Sequence, residues 1–118
     1  MPGPIRIKST RFVSAPADQV YDILADYHTG HPQILPARVF RDLRVETGGQ
    51  GAGTVIKFGM KSFGTVRWAR AEVDEPEPGR VLRERVLDDL DQLDPEGIVT
   101  TFTVDRVEAH RSEVTIET

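Results

Sequence analysis

The chain has 118 residues, 15 basic and 19 acidic side chains, a formal net charge of −4 and no cysteine. Without cysteine neither a disulfide framework nor a thiolate metal site can form, which fits a cytoplasmic setting. Charges of both signs are interleaved, as in Arg67, Arg70, Glu72 and Asp74, so no basic stripe is offered to a nucleic acid. No apolar run approaches the roughly 18 residues of a membrane span, and residues 1–6 lack the apolar region of a signal peptide. A chain of this length fits one domain, 1–118, burying roughly 65% of its unfolded surface.

In chain order, Ile5 and Ile7 alternate with Arg6 and Lys8, which predicts a half-buried strand over 5–13. Pro16 suits the first turn of a helix and Asp18 complements its dipole. Val20, Ile23, Leu24 and Tyr27 recur at helical spacing, so a helix is predicted over 16–25 with those four as its apolar stripe. Gly30, Pro32 and Pro36 leave room only for a short second helix around 31–35. Strands are predicted at 38–46, 54–61, 65–74, 80–87, 98–107 and 113–118. They are separated by the glycine-rich hairpin 47–53, turns at 62–64, 75–79 and 108–112, and an acidic loop over 88–97. Seven strands with short connections and two helices inserted after the first make an α+β plan, an antiparallel meander with helices on one face.

The segments Ala15-Pro16-Ala17, Val20-Tyr21 and Leu24-Ala25-Asp26 come first, followed by the proline-rich stretch ending Leu35-Pro36. The glycine hairpin 49–53, the turn 75–82 and Gly97 leading into 101–104 then complete the pattern. In this order and spacing they resemble the START-like superfamily, and more narrowly the polyketide cyclase/dehydrase and lipid-transport (SRPBCC) proteins. That resemblance implies a helix-grip-like sheet whose concave face and helices enclose a pocket for a small hydrophobic molecule. It also implies a long C-terminal helix across the concave face, whereas this sequence stops where the seventh strand ends. About 500 Å² of apolar sheet would then lack its cover, worth at most roughly 12 kcal/mol. A partner subunit, a collapse of the other elements or a longer natural protein would each answer that. A homodimer covering the concave face is the expectation.

The aromatic residues Tyr27, Phe58, Phe63, Trp68 and Phe102, with Met60, fall on the helix junction and several strands, as core or as pocket lining. Together with Ile34, Leu35 and Glu84 they are the candidate ligand-binding residues. Glu84 alternates with Leu82 and Val86, which leaves two readings: it faces inward, with Arg67 or Arg70 of the neighbouring strand as partner according to register, or the strand twists enough to leave it solvated. Asp26, His28 and His31 lie within six residues, yet no further metal ligand is evident. The acidic loop fails calcium-loop spacing and reads as solvated, and long loops beside pockets can act as lids. The glycines of 48–53 are not followed by a helix or by Gly-Lys-Ser/Thr, so they read as a hairpin and not as a phosphate loop. No cofactor motif, metal site or nucleophile arrangement stands out. The sequence is read as a carrier for a lipid, isoprenoid or polyketide-like compound. The alternatives are a polyketide cyclase or dehydratase using Glu84, Arg67, Tyr27 or His31, and an interaction module using the uncovered sheet face.

Overall fold

The computed structural model describes residues 7–34, 40–62, 64–90, 92–95 and 97–118. Within them lie β1 (Lys8–Val13), α1 (Ala17–Ala25), α2 (Gly30–Ile34), β2 (Phe40–Thr47), β3 (Val55–Ser62), β4 (Thr65–Glu77), β5 (Val81–Val86), β6 (Val99–Glu108) and β7 (Arg111–Glu117). The strands form one antiparallel sheet in the order β1-β7-β6-β5-β4-β3-β2. The first two strands of the chain are therefore its two edges. The connection between them, which holds both helices, must cross the sheet, and α1 packs over β6 and β7.

Pro16 is the cap of α1 rather than a residue of its first turn. Its backbone is extended (φ −60°, ψ 144°) and its carbonyl accepts the first helical bond from Val20 N at 3.1 Å. The buried stripe is Val20, Tyr21, Leu24 and Ala25, while the expected Ile23 is 51% exposed. Tyr21 takes its place because its hydroxyl reaches across to Glu75 Oε2 at 2.5 Å, satisfying the polar tip that burial would otherwise orphan. The turn before α1 is pinned by Ser112 Oγ, which donates to Ala15 O at 2.7 Å from the far end of the sequence.

Two predicted turns are shorter in the structure. β4 runs on to Glu77 through an irregularity between Asp74 and Glu77, where Pro76, having no N–H to give, does no harm to the ladder. β7 begins at Arg111, two residues earlier than expected. β2 carries a register shift between Arg41 and Arg44, with Asp42 at φ +50°. Residues 5–6 and 38–39 of the predicted strands, and Leu35 of the predicted helix, lie outside the described residues.

The core unites α1 and Tyr27 with Ile56, Phe58, Ala71, Val73, Leu82, Phe102, Val104 and Val114, all on the sheet's concave face. The register explains which residues join it. Phe58 faces Ala69, Ile56 faces Ala71 and Glu84 faces Val73, so the odd-numbered residues of β4 and the even-numbered ones of β3 and β5 share that side. The convex side carries charge: Asp74 accepts from Arg83 Nε at 2.9 Å and lies 3.4 Å from Arg85 Nη2.

Candidate functional site

The helix junction is held in place by backbone bonds before any side chain of the site is considered. Tyr27 N donates to Gly49 O at 2.9 Å and Gly51 N to Ala25 O at 2.9 Å, tying the end of α1 to the β2–β3 hairpin. Gly49 sits at φ +140° and Gly51 at φ +61°, left-handed backbone that favours glycine. Side chains there would meet His28 and the Glu75 carboxylate, at 2.1 and 2.2 Å from an added Cβ. The Asp26 carboxylate accepts the backbone N–H groups of His28, Thr29 and Gly30 at 3.1, 3.3 and 3.2 Å and the Thr29 hydroxyl. The Thr29 bond, more than any other contact, holds its pKa below the usual carboxylate value. This turn consumes the carboxylate that a metal site would need and aims His28 and His31 in different directions. Among the described residues no group of three metal-ligating side chains forms.

His31 is turned inward and is 1% exposed. Its ring stacks on Tyr27, with centroids 4.2 Å apart, and meets Phe102 edge-on at 5.4 Å. Nδ1 lies 2.8 Å from Leu24 O. A carbonyl can only accept, so Nδ1 carries a proton and Nε2 is left to face Glu84 Oε2 at 3.3 Å. The same Oε2 accepts the Tyr27 hydroxyl at 2.5 Å. Glu84 Oε2 thus stands between the Tyr27 hydroxyl, which donates to it, and the His31 imidazole. Burial pushes the Glu84 carboxyl above its ordinary value, opposed by the charge of His31 and then by the Tyr27 hydrogen bond. The Tyr27 phenol is driven far up by burial and by the charge of Glu84.

Beside this cluster is a cavity of about 330 Å³. α2 contributes His31 and Ile34, β2 Leu43, and β3 Ile56, Phe58 and Met60. The floor is completed by Ala71, Glu84, Val86, Thr100, Phe102 and Ile116, with Ile98 and Thr118 at its margin. Ile34 and Ile98 are 43% and 50% exposed, which marks the rim. At about 30 Å³ of liquid volume per water, the space equals about eleven waters, room for a molecule of one or two fused rings.

Of the predicted residues, Ile34, Phe58, Met60, Glu84 and Phe102 line this cavity. Tyr27 is fully buried and stands behind Glu84 as its hydrogen-bond donor. Trp68 does not join them. Opposite Gly59 in the register and out of phase with Ala69 and Ala71, it lies on the convex face, 52% exposed, with Lys57 Nζ 5.6 Å from its ring. Leu35 and Phe63 lie outside the described residues. The expected arginine partners of Glu84 are corrected as well. Arg67 pairs with Met60, six residues along β4 from Val73, and Arg70 faces outward to Glu46 at 2.5 Å; the partner of Glu84 comes instead from α2. Ile56, Val86 and Thr100 were missed, although each is two residues from a predicted lining position on the same strand.

The sequence profile of the family described as polyketide cyclase/dehydrase and lipid transport matches residues 4–118. No curated protein matches in sequence. Among solved structures, the chain is similar to the KanY protein at 26% identity and a TM-score of 0.78, over 98% of this chain and 73% of that one. It is similar to the Zhui aromatase/cyclase from Streptomyces sp. R1128 at 23% identity and a TM-score of 0.74, over 96% of this chain and 65% of that one. A START superfamily protein from Mycobacterium smegmatis aligns at 14% identity and a TM-score of 0.72, over 95% of this chain and 73% of that one. The last two likenesses establish the fold, the helix-grip arrangement in which a curved antiparallel sheet faces its helices. With its profile matched over nearly every residue and this fold around its cavity, the chain belongs to the polyketide cyclase/dehydrase and lipid-transport family.

Proposed function

We propose that this protein binds one small, predominantly apolar ring compound in the cavity between α2 and the concave sheet face. The observation that carries the reading is the cavity itself: about 330 Å³, with ten apolar residues among the fourteen described ones that line it and a polar cluster confined to one wall. Such a space is at the small end of ligand pockets, which are mostly apolar with a few placed polar groups. The binding energy comes from removing the ligand's apolar surface from water, about 25 cal/mol per Å² before the cost of ordering it.

A thermal-shift titration with naphthalene-sized ring compounds tests this. A ligand at ten times its Kd adds about 1.4 kcal/mol, which raises Tm by about 4–8 °C. Ala71 is 1% exposed and on the cavity floor, so Ala71→Leu fills the space from below. The variant is expected to fold at a cost of about 1–3 kcal/mol relative to the parent and to lose the ligand-induced shift. No shift with any such compound, or an undiminished shift in Ala71→Leu, would contradict the reading.

A second reading is favoured by the convergence of Tyr27 and His31 on Oε2 of Glu84, at 2.5 and 3.3 Å. A carboxyl and an imidazole side by side can take a proton from a bound substrate and return it, the acid–base work of a cyclase or dehydratase. The Zhui aromatase/cyclase supports this at the level of fold. Here Glu84→Gln would abolish turnover of a poly-ketone model substrate while ring compounds still bind. Turnover retained in that variant would dismiss the acid–base role.

A further inference from the structure

We infer that the cavity selects ligands by charge: it accepts a neutral ring compound that donates a hydrogen bond, a phenol or an enol, and excludes the corresponding carboxylate. The inference rests on the proposed binding function and adds which chemical class the site takes.

Both side chains that meet the Glu84 carboxyl, the Tyr27 hydroxyl and His31 Nε2, converge on Oε2. Among the described residues none donates to Oε1, and Glu84 lines the cavity. An acceptor oxygen on an otherwise apolar wall asks for a donor, and the ligand is the group able to bring one. The Thr100 hydroxyl, opposite Glu84 in the β5–β6 register and also on the cavity wall, can give or accept beside it.

The charges say the rest. Among the described residues no lysine or arginine lines the cavity. Arg83 and Arg85 of the same strand point to the convex side, where Asp74 takes both. The imidazole of His31 is engaged on both nitrogens, by Leu24 O and by Glu84. A ligand carboxylate would leave water for an apolar space with no free cation and a glutamate beside it. An unpaired buried charge is expensive. A neutral hydroxyl meets no such cost and finds Oε1.

Three probes of one shape separate these cases: 2-naphthol, naphthalene and 2-naphthoate, titrated into the whole protein by calorimetry at pH 7. The expected order is naphthol, then naphthalene, then naphthoate. The gap between naphthol and naphthalene is about tenfold or more, the usual worth of a hydrogen bond to a charged or strongly polarised acceptor. In Glu84→Gln, which has an amide N–H to offer, the ratio of naphthol to naphthoate affinity is expected to shrink at least tenfold. Naphthoate binding as tightly as naphthol, or naphthol no better than naphthalene, would overturn the charge selection and leave the apolar binding reading standing. Failure of all three to bind would overturn the binding reading and this inference with it. The comparison of the three probes on the unaltered protein decides the matter even if the variant does not fold.

Discussion

At Glu84 a buried carboxyl group meets a phenol and an imidazole. A carboxyl group on an apolar strand face is destabilising when ionised, and the structure offsets that with one phenol and one imidazole. Because burial raises its pKa, the folded protein holds the Glu84 proton more tightly than the unfolded chain does. The stability linked to it is therefore fully present below its ordinary value of 4.5 and is lost as pH rises through the higher folded value. Glu84→Gln keeps the shape and removes the titration. Urea midpoints measured from pH 4 to pH 8 should fall for the parent relative to the variant as pH rises. Parallel curves would show that Glu84 is not the strained group. Asp26 works in the opposite sense: its lowered pKa gives stability above the ordinary carboxylate range that fades as pH falls. The alternation of Glu84 with Leu82 and Val86 allowed an inward direction but did not decide it against strand twist, and the structure turns it inward. Its partner was not legible, because His31 is 53 positions away and nothing local in the sequence says that α2 folds down onto β5.

At the scale of elements, the α1–α2 corner decides whether the site exists, since His31 and Ile34 reach the cavity from α2. The corner is tight. A Cβ on Gly30 would lie 2.4 Å from the Ile23 carbonyl oxygen, a backbone atom that cannot swing aside. Gly53, by contrast, has φ +87° and open space around its missing Cβ. Gly53→Ala should cost only backbone strain, about 1–3 kcal/mol, and leave ligand binding alone. Gly30→Ala should move α2, displace His31 and weaken ligand binding as well as lower Tm. Equal binding by the two variants would contradict this account of the corner. The strand periods, the helix over 16–25 and the hairpin at 47–53 could be read from the sequence because period, proline and glycine are local signals. Three features could not be read, since each is fixed by a partner strand or a distant group. They are the phase of β4, which puts Trp68 outside, the run of β4 past Pro76, and the replacement of Ile23 by Tyr21 in the buried stripe.

At the scale of the whole molecule, the sheet's two edge strands are the two ends of the helical connection, so the helices necessarily span one face. α1 fills one half of the hollow as core. Over the other half the short α2 leaves the cavity open beside Phe58, Met60 and Phe102. Curvature, a crossing connection and one short helix together produce a cavity with the polar cluster at its wall, while the charges of Asp74, Arg83 and Arg85 lie on the convex side. The single tryptophan, Trp68, stands on that convex side and serves as an internal control. The most direct measurement is an NMR titration of the labelled protein with 2-naphthol, following methyl and aromatic signals. Binding in the cavity gives saturable shifts at Met60, Ala71, Val86 and Phe102 with the Trp68 indole unmoved. Shifts centred on Trp68 and Lys57, or none at the cavity-lining residues at saturation, would contradict it.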